Sequence, residues 1–179
     1  MLEEVTTMGW VLTVVLVLIL VLSVLALTFL LGMRTKFPPV VRAVRRMNRL
    51  ITNPRQMRSA GTPGSFAGVI HHTGRTSGRE YETPVGPFPT DDGFVITLPY
   101  GTGTDWLKNV LASGSATLVT EGRTYEVDRP EIVRIADVVS ALPAEELGKL
   151  RLFRVEQALQ VRRAEANREL SHPQVRRVG

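Results

Sequence analysis

SFAGVIHHTGRTSGREYETPVGPF, residues 65–88, is the stretch on which the fold turns. Its first eight residues, Ser65–His72, are apolar and extended, Thr73–Gly78 reverses the chain, and Arg79–Phe88 reads as a second strand. Pro84 and Pro87 interrupt that strand. Proline cannot donate to a ladder, so the pair predicts an edge or a bulge. Immediately upstream, Thr62-Pro63-Gly64 marks the point where helical texture gives way to strand texture.

Working outward, Asp91-Asp92-Gly93 is a tight turn into a strand over Phe94–Pro99. Thr104 or Asp105 can cap a short helix, Trp106–Ala112, that stops near Gly114. Ser115–Thr120 reads as a strand, Glu121-Gly122 as a two-residue turn and Arg123–Val127 as its hairpin partner. Glu131–Ile135 adds a further strand. Ala144–Arg163 reads as mostly helical, with Leu147, Leu150, Ala158 and Val161 on one face. Short strands joined by tight turns predict a small antiparallel barrel with one or two helices, rather than a doubly wound sheet.

On the N-terminal side, Val11–Leu31 is interrupted by polar residues only at Thr13, Ser23 and Thr28, and 17 of its 21 residues are Val, Leu, Ile or Phe. At roughly 1.5 Å per residue the stretch gives about 31 Å of helix, enough to cross a hydrocarbon core. Insertion is favoured by at most about 5–10 kcal/mol. A cleaved signal peptide would need a basic leading region and a shorter core. Here Glu3 and Glu4 lead instead, and arginines follow, so the positive-inside rule predicts a single-pass cell-membrane protein with a cytoplasmic domain.

Pro38 and Pro39 then break the helix. Val40, Val44, Met47 and Ile51 recur at helical spacing while Arg42, Arg45, Arg46 and Arg49 take other faces. The pattern predicts a short helix lying on anionic lipid, at about 1 kcal/mol per basic residue, or packed on the domain. The expected organisation is an anchor over 1–33, with residues 10–32 in the bilayer, a basic juxtamembrane segment over 34–60, a barrel domain with its C-terminal helix over 61–165 and a basic tail over 166–179.

Composition removes several chemistries. The chain has no cysteine, which excludes thiolate metal sites, iron–sulfur clusters and cysteine nucleophiles. His71 and His72, as strand neighbours, point to opposite faces and cannot share one metal. The net charge of +5 is concentrated in residues 33–58 and in a second cluster containing Arg151, Arg154, Arg162, Arg163, Arg168, Arg176 and Arg177. No nucleic-acid-binding motif accompanies either cluster, so lipid is the simpler partner for the first.

Two segments carry the chemistry. Thr73-Gly74-Arg75-Thr76-Ser77-Gly78-Arg79 combines two glycines, hydroxyls and two guanidinium groups, which suits a phosphate or carboxylate. A solvated hairpin loop has the same composition. It is neither a Walker loop nor a G-x-S-x-G elbow. Tyr100–Asn109 carries a glycine-containing loop into a helix whose N-terminus attracts anions. Trp106 and Asn109 lie three apart on one helical face, where a core tryptophan and a satisfied amide are the plainer reading.

In order along the chain, HHTGRTSGREYETPV (71–85), a DDGF turn (91–94) and YGTGTDWLKNVLASG (100–114) resemble the deazaflavin-dependent nitroreductase and quinone reductase family over roughly residues 60–135. The resemblance implies a split β-barrel of the FMN-binding-like kind, preceded here by the transmembrane helix. It also implies binding of coenzyme F420 and hydride transfer to a small-molecule acceptor such as a quinone, with nitroaromatics as adventitious substrates. Arg75, Ser77 and Arg79, with the loop amides of Gly74, Thr76 and Gly78, would hold the phosphate and acidic tail. Thr83, Pro84 and Val85 would line the ring pocket, and Tyr100, Gly101, Trp106 and Asn109 would close it. Tyr100 would donate a proton. Many relatives carry basic residues where this chain has Thr76 and Tyr81, a difference of roughly 1.5–3 kcal/mol per lost charged hydrogen bond, which Arg79 can offset. A flavin nucleotide (FMN) in the same barrel and a non-catalytic barrel binding a fatty acyl ligand are the rival readings.

Overall fold

The computed structural model describes residues 2–164, with side chains from residue 8 onward. The C-terminal basic tail, including Arg168, Arg176, Arg177 and His172, lies outside the described residues.

Unbroken Val, Leu and Ile give helix α1 (Leu2–Arg34), and nearly every side chain on it from Met8 to Leu31 is exposed. Among the described residues this is the one helix long and apolar enough to cross a membrane. Thr13 Oγ1 donates to Gly9 O and Thr28 Oγ1 to Val24 O, so these hydroxyls are satisfied one turn back. The helix stops at Arg34, and Pro38 and Pro39 open α2 (Pro38–Met47), where their missing amide hydrogens cost nothing. One π-helical turn, Asn48–Thr52, and α3 (Asn53–Gln56) continue it.

The joint between α1 and α2 is fastened to the domain. Arg34 Nη1 donates to Leu152 O at 2.8 Å, and Lys36 Nζ donates to Pro99 O at 2.9 Å and Phe153 O at 3.3 Å. Burial holds the Lys36 ammonium below its usual pKa, opposed in part by Glu156. Phe29 meets Phe153 edge-on at 6.3 Å.

Seven antiparallel strands follow: β1 (Gly68–Thr73), β2 (Glu80–Val85), β3 (Pro87–Pro89), β4 (Gly93–Thr97), β5 (Ser115–Thr120), β6 (Arg123–Arg134) and β7 (Gln157–Arg163), in the order β2-β1-β5-β6-β7-β4-β3. The two outermost strands are consecutive in the chain and separated only by Gly86. The sheet therefore curls until its edges share one bent strand, which makes a split barrel. The prolines read as edge markers sit on that strand. Glycine is obligatory at Gly93, where a β-carbon would collide with the Val161 carbonyl of the neighbouring strand.

Alternation along the strands builds the two sides. Ile70, Phe94, Ile96, Leu118, Val127, Leu159 and Val161 fill the interior. Helix α4 (Asp105–Ser113) closes one end by adding Leu107 and Val110 to the same cluster. On the outer face, Phe88, Val95 and Ala158 pack with Val138, Leu142, Val155 and the Leu150 side of α5 (Ala144–Leu152).

Two expectations are corrected. The helix predicted over Ala144–Arg163 ends at Leu152, and Gln157–Arg163 is β7, paired with both β4 and β6. Arg154 adopts φ 48° and cannot continue a helix, and Ala158-Leu159-Gln160-Val161 is then read with period two. Ala158 consequently faces the outer cluster and Val161 the interior. The strands predicted over Arg123–Val127 and Glu131–Ile135 form one strand with an irregularity between Asp128 and Glu131, where Arg129 takes φ 50°.

Candidate functional site

A cleft of about 240 Å³ lies between the barrel and the helical segment 48–56. That is near the lower end of ligand pockets, roughly 300–1,000 Å³, so it has room for a ring system rather than a whole nucleotide-like cofactor. One wall comes from the bent strand (Pro84, Val85, Gly86), another from Pro99, Tyr100, Gly101, Thr104 and Trp106, and a third from Asn48, Asn53 and Gln56. The sequence reads residues 34–60 as a basic amphipathic helix and linker, on lipid or packed on the domain; that this segment walls a cleft is not visible in it.

Polar detail in the cleft is sparse and specific. Asn48 Nδ2 donates to Tyr100 Oη at 2.6 Å. The phenol oxygen thus accepts from the amide, which leaves its own hydrogen free to donate elsewhere. Thr104 occupies the N-cap position of α4 but makes no capping bond. It is 8% exposed, and its Oγ1 is buried without a partner. Buried hydroxyls are normally paired; this one is idle in a residue that lines the cleft.

The arginine bend is not among the residues lining the cleft. It sits beside it and is fixed to the same helix. Arg75 N and Arg75 Nη1 donate to Asn109 Oδ1 at 3.2 and 2.8 Å, and Arg75 Nη2 lies 3.3 Å from Asp105 Oδ1. Within the bend, Gly74 N donates to Arg79 O, Gly78 N to Gly74 O and Arg79 N to Ser77 Oγ. Ser77 Oγ and Tyr81 Oη are 3.2 Å apart. Gly74 has no room for a β-carbon against Ser77 and Tyr81, and Gly78 takes φ 64°, so both glycines are required by the turn. Thr76 is exposed. Among the described residues, nothing pairs with the Arg79 guanidinium.

Of the predicted site residues, Pro84, Val85, Tyr100, Gly101 and Trp106 therefore share the cleft. Gly74, Arg75, Thr76, Ser77, Gly78 and Arg79 form the adjoining bend, and Asn109 ties the bend to α4. Thr83 turns instead toward His72, whose Nε2 is 3.1 Å from Thr83 Oγ1. On its other side His72 Nδ1 meets Asn109 Nδ2 at 3.1 Å, and the Tyr81 ring stacks on it at 5.8 Å. His72 is buried, and that burial, with a smaller contribution from His71, lowers its pKa. His71 points the other way, to Glu82 at 3.4 Å. Of the arginines assigned to lipid, Arg45 donates to Gly103 O at the cleft's rim, while Arg42, Arg46 and Arg49 are exposed. Met47, Leu50 and Ile51 are exposed beside them, and Val41 is the residue of α2 that is buried.

No family model matches the chain, and no curated protein matches it significantly. Solved structures do. One is described as an F420-H2 dependent reductase (FDR-A), 14% identical, aligned over 54% of this chain and 93% of its own, at a TM-score of 0.38. Another is described as a domain-swapped dimer, 13% identical, aligned over 67% of this chain and 97% of its own, at a TM-score of 0.42.

Proposed function

We propose that this chain is a membrane-anchored oxidoreductase that uses reduced coenzyme F420 to reduce a lipophilic acceptor of the quinone class, with nitroaromatics accepted adventitiously. The observation that carries the reading is the orphaned Thr104 hydroxyl, set between Tyr100 and Trp106 in a cleft bordered by a cationic bend. A planar heteroaromatic ring with polar edges would fit those walls, and Arg79 and Ser77 of the neighbouring bend would hold an acidic tail. When bound, the coenzyme supplies the hydride.

The chain's own residues bind, orient and shield. Trp106, Pro84 and Val85 give the ring apolar contact, with Gly101 leaving the approach open. Thr104 and the bend supply hydrogen bonds, Arg79 and Ser77 meeting the anionic groups and Arg75 holding the bend against α4. Tyr100, kept as a donor by Asn48, delivers a proton to the reduced acceptor. The anchor places the cleft where a lipophilic acceptor partitions, with the barrel on the cytoplasmic side and Arg42, Arg46 and Arg49 on anionic lipid. A barrel for a fatty acyl chain is disfavoured, because Ile70, Ile96, Leu107, Leu118 and Leu159 fill the interior.

The test is equilibrium binding of reduced F420 and of FMN to the full chain in lipid nanodiscs, followed by oxidation of the bound coenzyme on adding a short-chain quinone. The reading expects F420 to bind at micromolar concentration or tighter and to be consumed. Binding of FMN alone moves the assignment to a flavin enzyme, and binding of neither by a folded sample ends it.

A further inference from the structure

The donor and acceptor roles around His72 are fixed by chemistry alone. Asn109 Oδ1 faces two groups that can only donate, the Arg75 amide and the Arg75 guanidinium, so the amide oxygen must lie on that side. Asn109 Nδ2, which can only donate, is then directed at His72 Nδ1. His72 Nδ1 must accept, its proton must be on Nε2, and Nε2–H donates to Thr83 Oγ1. One unbroken chain, Thr83–His72–Asn109–Arg75, runs from the bent strand that walls the cleft to the bend beside it.

We propose that His72 is a positioning residue. Its neutral Nε2–H tautomer orients Asn109 and thereby helps hold the Arg75 bend in place, so protonation of this one buried imidazole loosens the bend from α4. This rests on the proposed function only where it speaks of coenzyme, because the network exists without a ligand. Protonation puts a hydrogen on Nδ1 facing the hydrogens of Asn109 Nδ2. The amide can relieve that clash only by flipping, which turns its NH2 group toward Arg75 and breaks both Arg75–Asn109 bonds, leaving the exposed contact with Asp105 as the guanidinium's tie to α4.

The surroundings do not rescue the charge. On its own strand the neighbour is His71, itself a base. From β2 come the neutral Tyr81 ring, stacked on His72, and Glu82, which pairs with His71, with Glu80 opposite Thr73 in the register. From α4 come Asn109, Asp105, which pairs with Arg75, and the exposed Lys108. β5 pairs with β1 through Thr117, Leu118 and Val119, none of them charged. Burial therefore governs, and it lowers the imidazole pKa.

The experiment uses the full chain in nanodiscs with 15N-labelled histidine and arginine. Without ligand, the His72 ring is expected as the neutral Nε2–H tautomer near neutral pH, and the Arg75 amide should lose its hydrogen-bonded shift as His72 titrates. An Nδ1–H tautomer, or an Arg75 amide indifferent to that titration, overturns the proposal. With reduced F420, affinity should fall about tenfold per pH unit once His72 protonates, as for one linked proton. His72→Phe should weaken binding at all pH values. His72→Asn, whose Oδ1 can replace the Nδ1 acceptor, should restore most of the affinity and remove that pH dependence, while reporting any proton lost by the coenzyme itself. A His72→Asn profile identical to the unmodified chain's also overturns the idea. If F420 does not bind, the proposed function fails while the ligand-free spectra still decide the role of His72.

Discussion

Replacing Thr104 by Val separates a structural hydroxyl from a ligand-seeking one. At an ordinary N-cap, losing the hydroxyl costs about 1 kcal/mol. Here the sign should reverse. Thr104 Oγ1 makes no capping bond and has no partner while buried, and an unsatisfied buried polar group costs about 1–3 kcal/mol. Valine has the same shape and tolerates the extended backbone at φ −73°, ψ 144°. The variant should therefore gain about 1–2 kcal/mol. For a domain of this size that corresponds to a rise in Tm of very roughly 4–16 °C. Binding should move the opposite way, because one hydrogen bond of about 0.5–1.5 kcal/mol is lost, weakening F420 affinity about 2- to 13-fold. Thermal unfolding of the full chain in detergent and a coenzyme titration on the same sample give both numbers. A fall in Tm, or a gain in Tm with unchanged affinity, refutes the view that this hydroxyl is reserved for a ligand.

The remaining predictions concern the bend, the barrel and acid stability. Arg79→Ala should weaken coenzyme binding by roughly tenfold or more with little change in unfolding free energy, whereas Arg75→Ala should lower both, since it removes the charged bond to Asn109 at about 1.5–3 kcal/mol; denaturant titration beside the binding assay distinguishes them. Gly93→Ala forces a methyl group into the Val161 carbonyl and should cost about 3 kcal/mol or more, seen as loss of β7 amide protection in hydrogen exchange. For His72, burial holds the folded pKa below the ordinary imidazole value of about 6.5, so the unfolded chain binds the extra proton. Its contribution to stability is complete above about pH 6.5 and declines as pH falls from there toward the lower folded value. Unfolding curves through that window should show a loss that is absent in His72→Asn.

Much of the barrel was legible because its signals are local. Ser115–Thr120 and the Glu121-Gly122 turn could be placed by alternation and turn chemistry, and the structure has Glu121 and Gly122 at φ 51° and 70°, as a primed hairpin turn needs. Pro84 and Pro87 announced an edge, but not that one strand supplies both edges, because closure is decided by partners far away in sequence. β7 was misread for a related reason. Ala158, Leu159 and Val161 suit either period, and only flanking by β4 and β6 settles it. In the site, Tyr100, Gly101 and Trp106 could be grouped because they are near in sequence. Asn48, Asn53 and Gln56 could not: packing of this helix on the domain was one of two readings, and nothing local says which of its residues would face a cleft. His72 was weighed only as a metal ligand, although its place one strand pairing from Thr83 and one helix from Asn109 gives it a different occupation.

The joint of Arg34, Lys36 and Phe29 with residues 152, 153 and 99 has a mechanical consequence. In the proposed arrangement the apolar core, residues 11–31, about 31 Å of helix, crosses a hydrocarbon thickness near about 30 Å. Inserted helices lean by about 20° on average, and the lean changes with bilayer thickness. A globule on a slack tether would ignore that lean. With α1 inserted as proposed, this joint would carry the helix's lean to the barrel, so thinning or thickening the membrane would turn the cleft's mouth and lipid composition would become a setting of access.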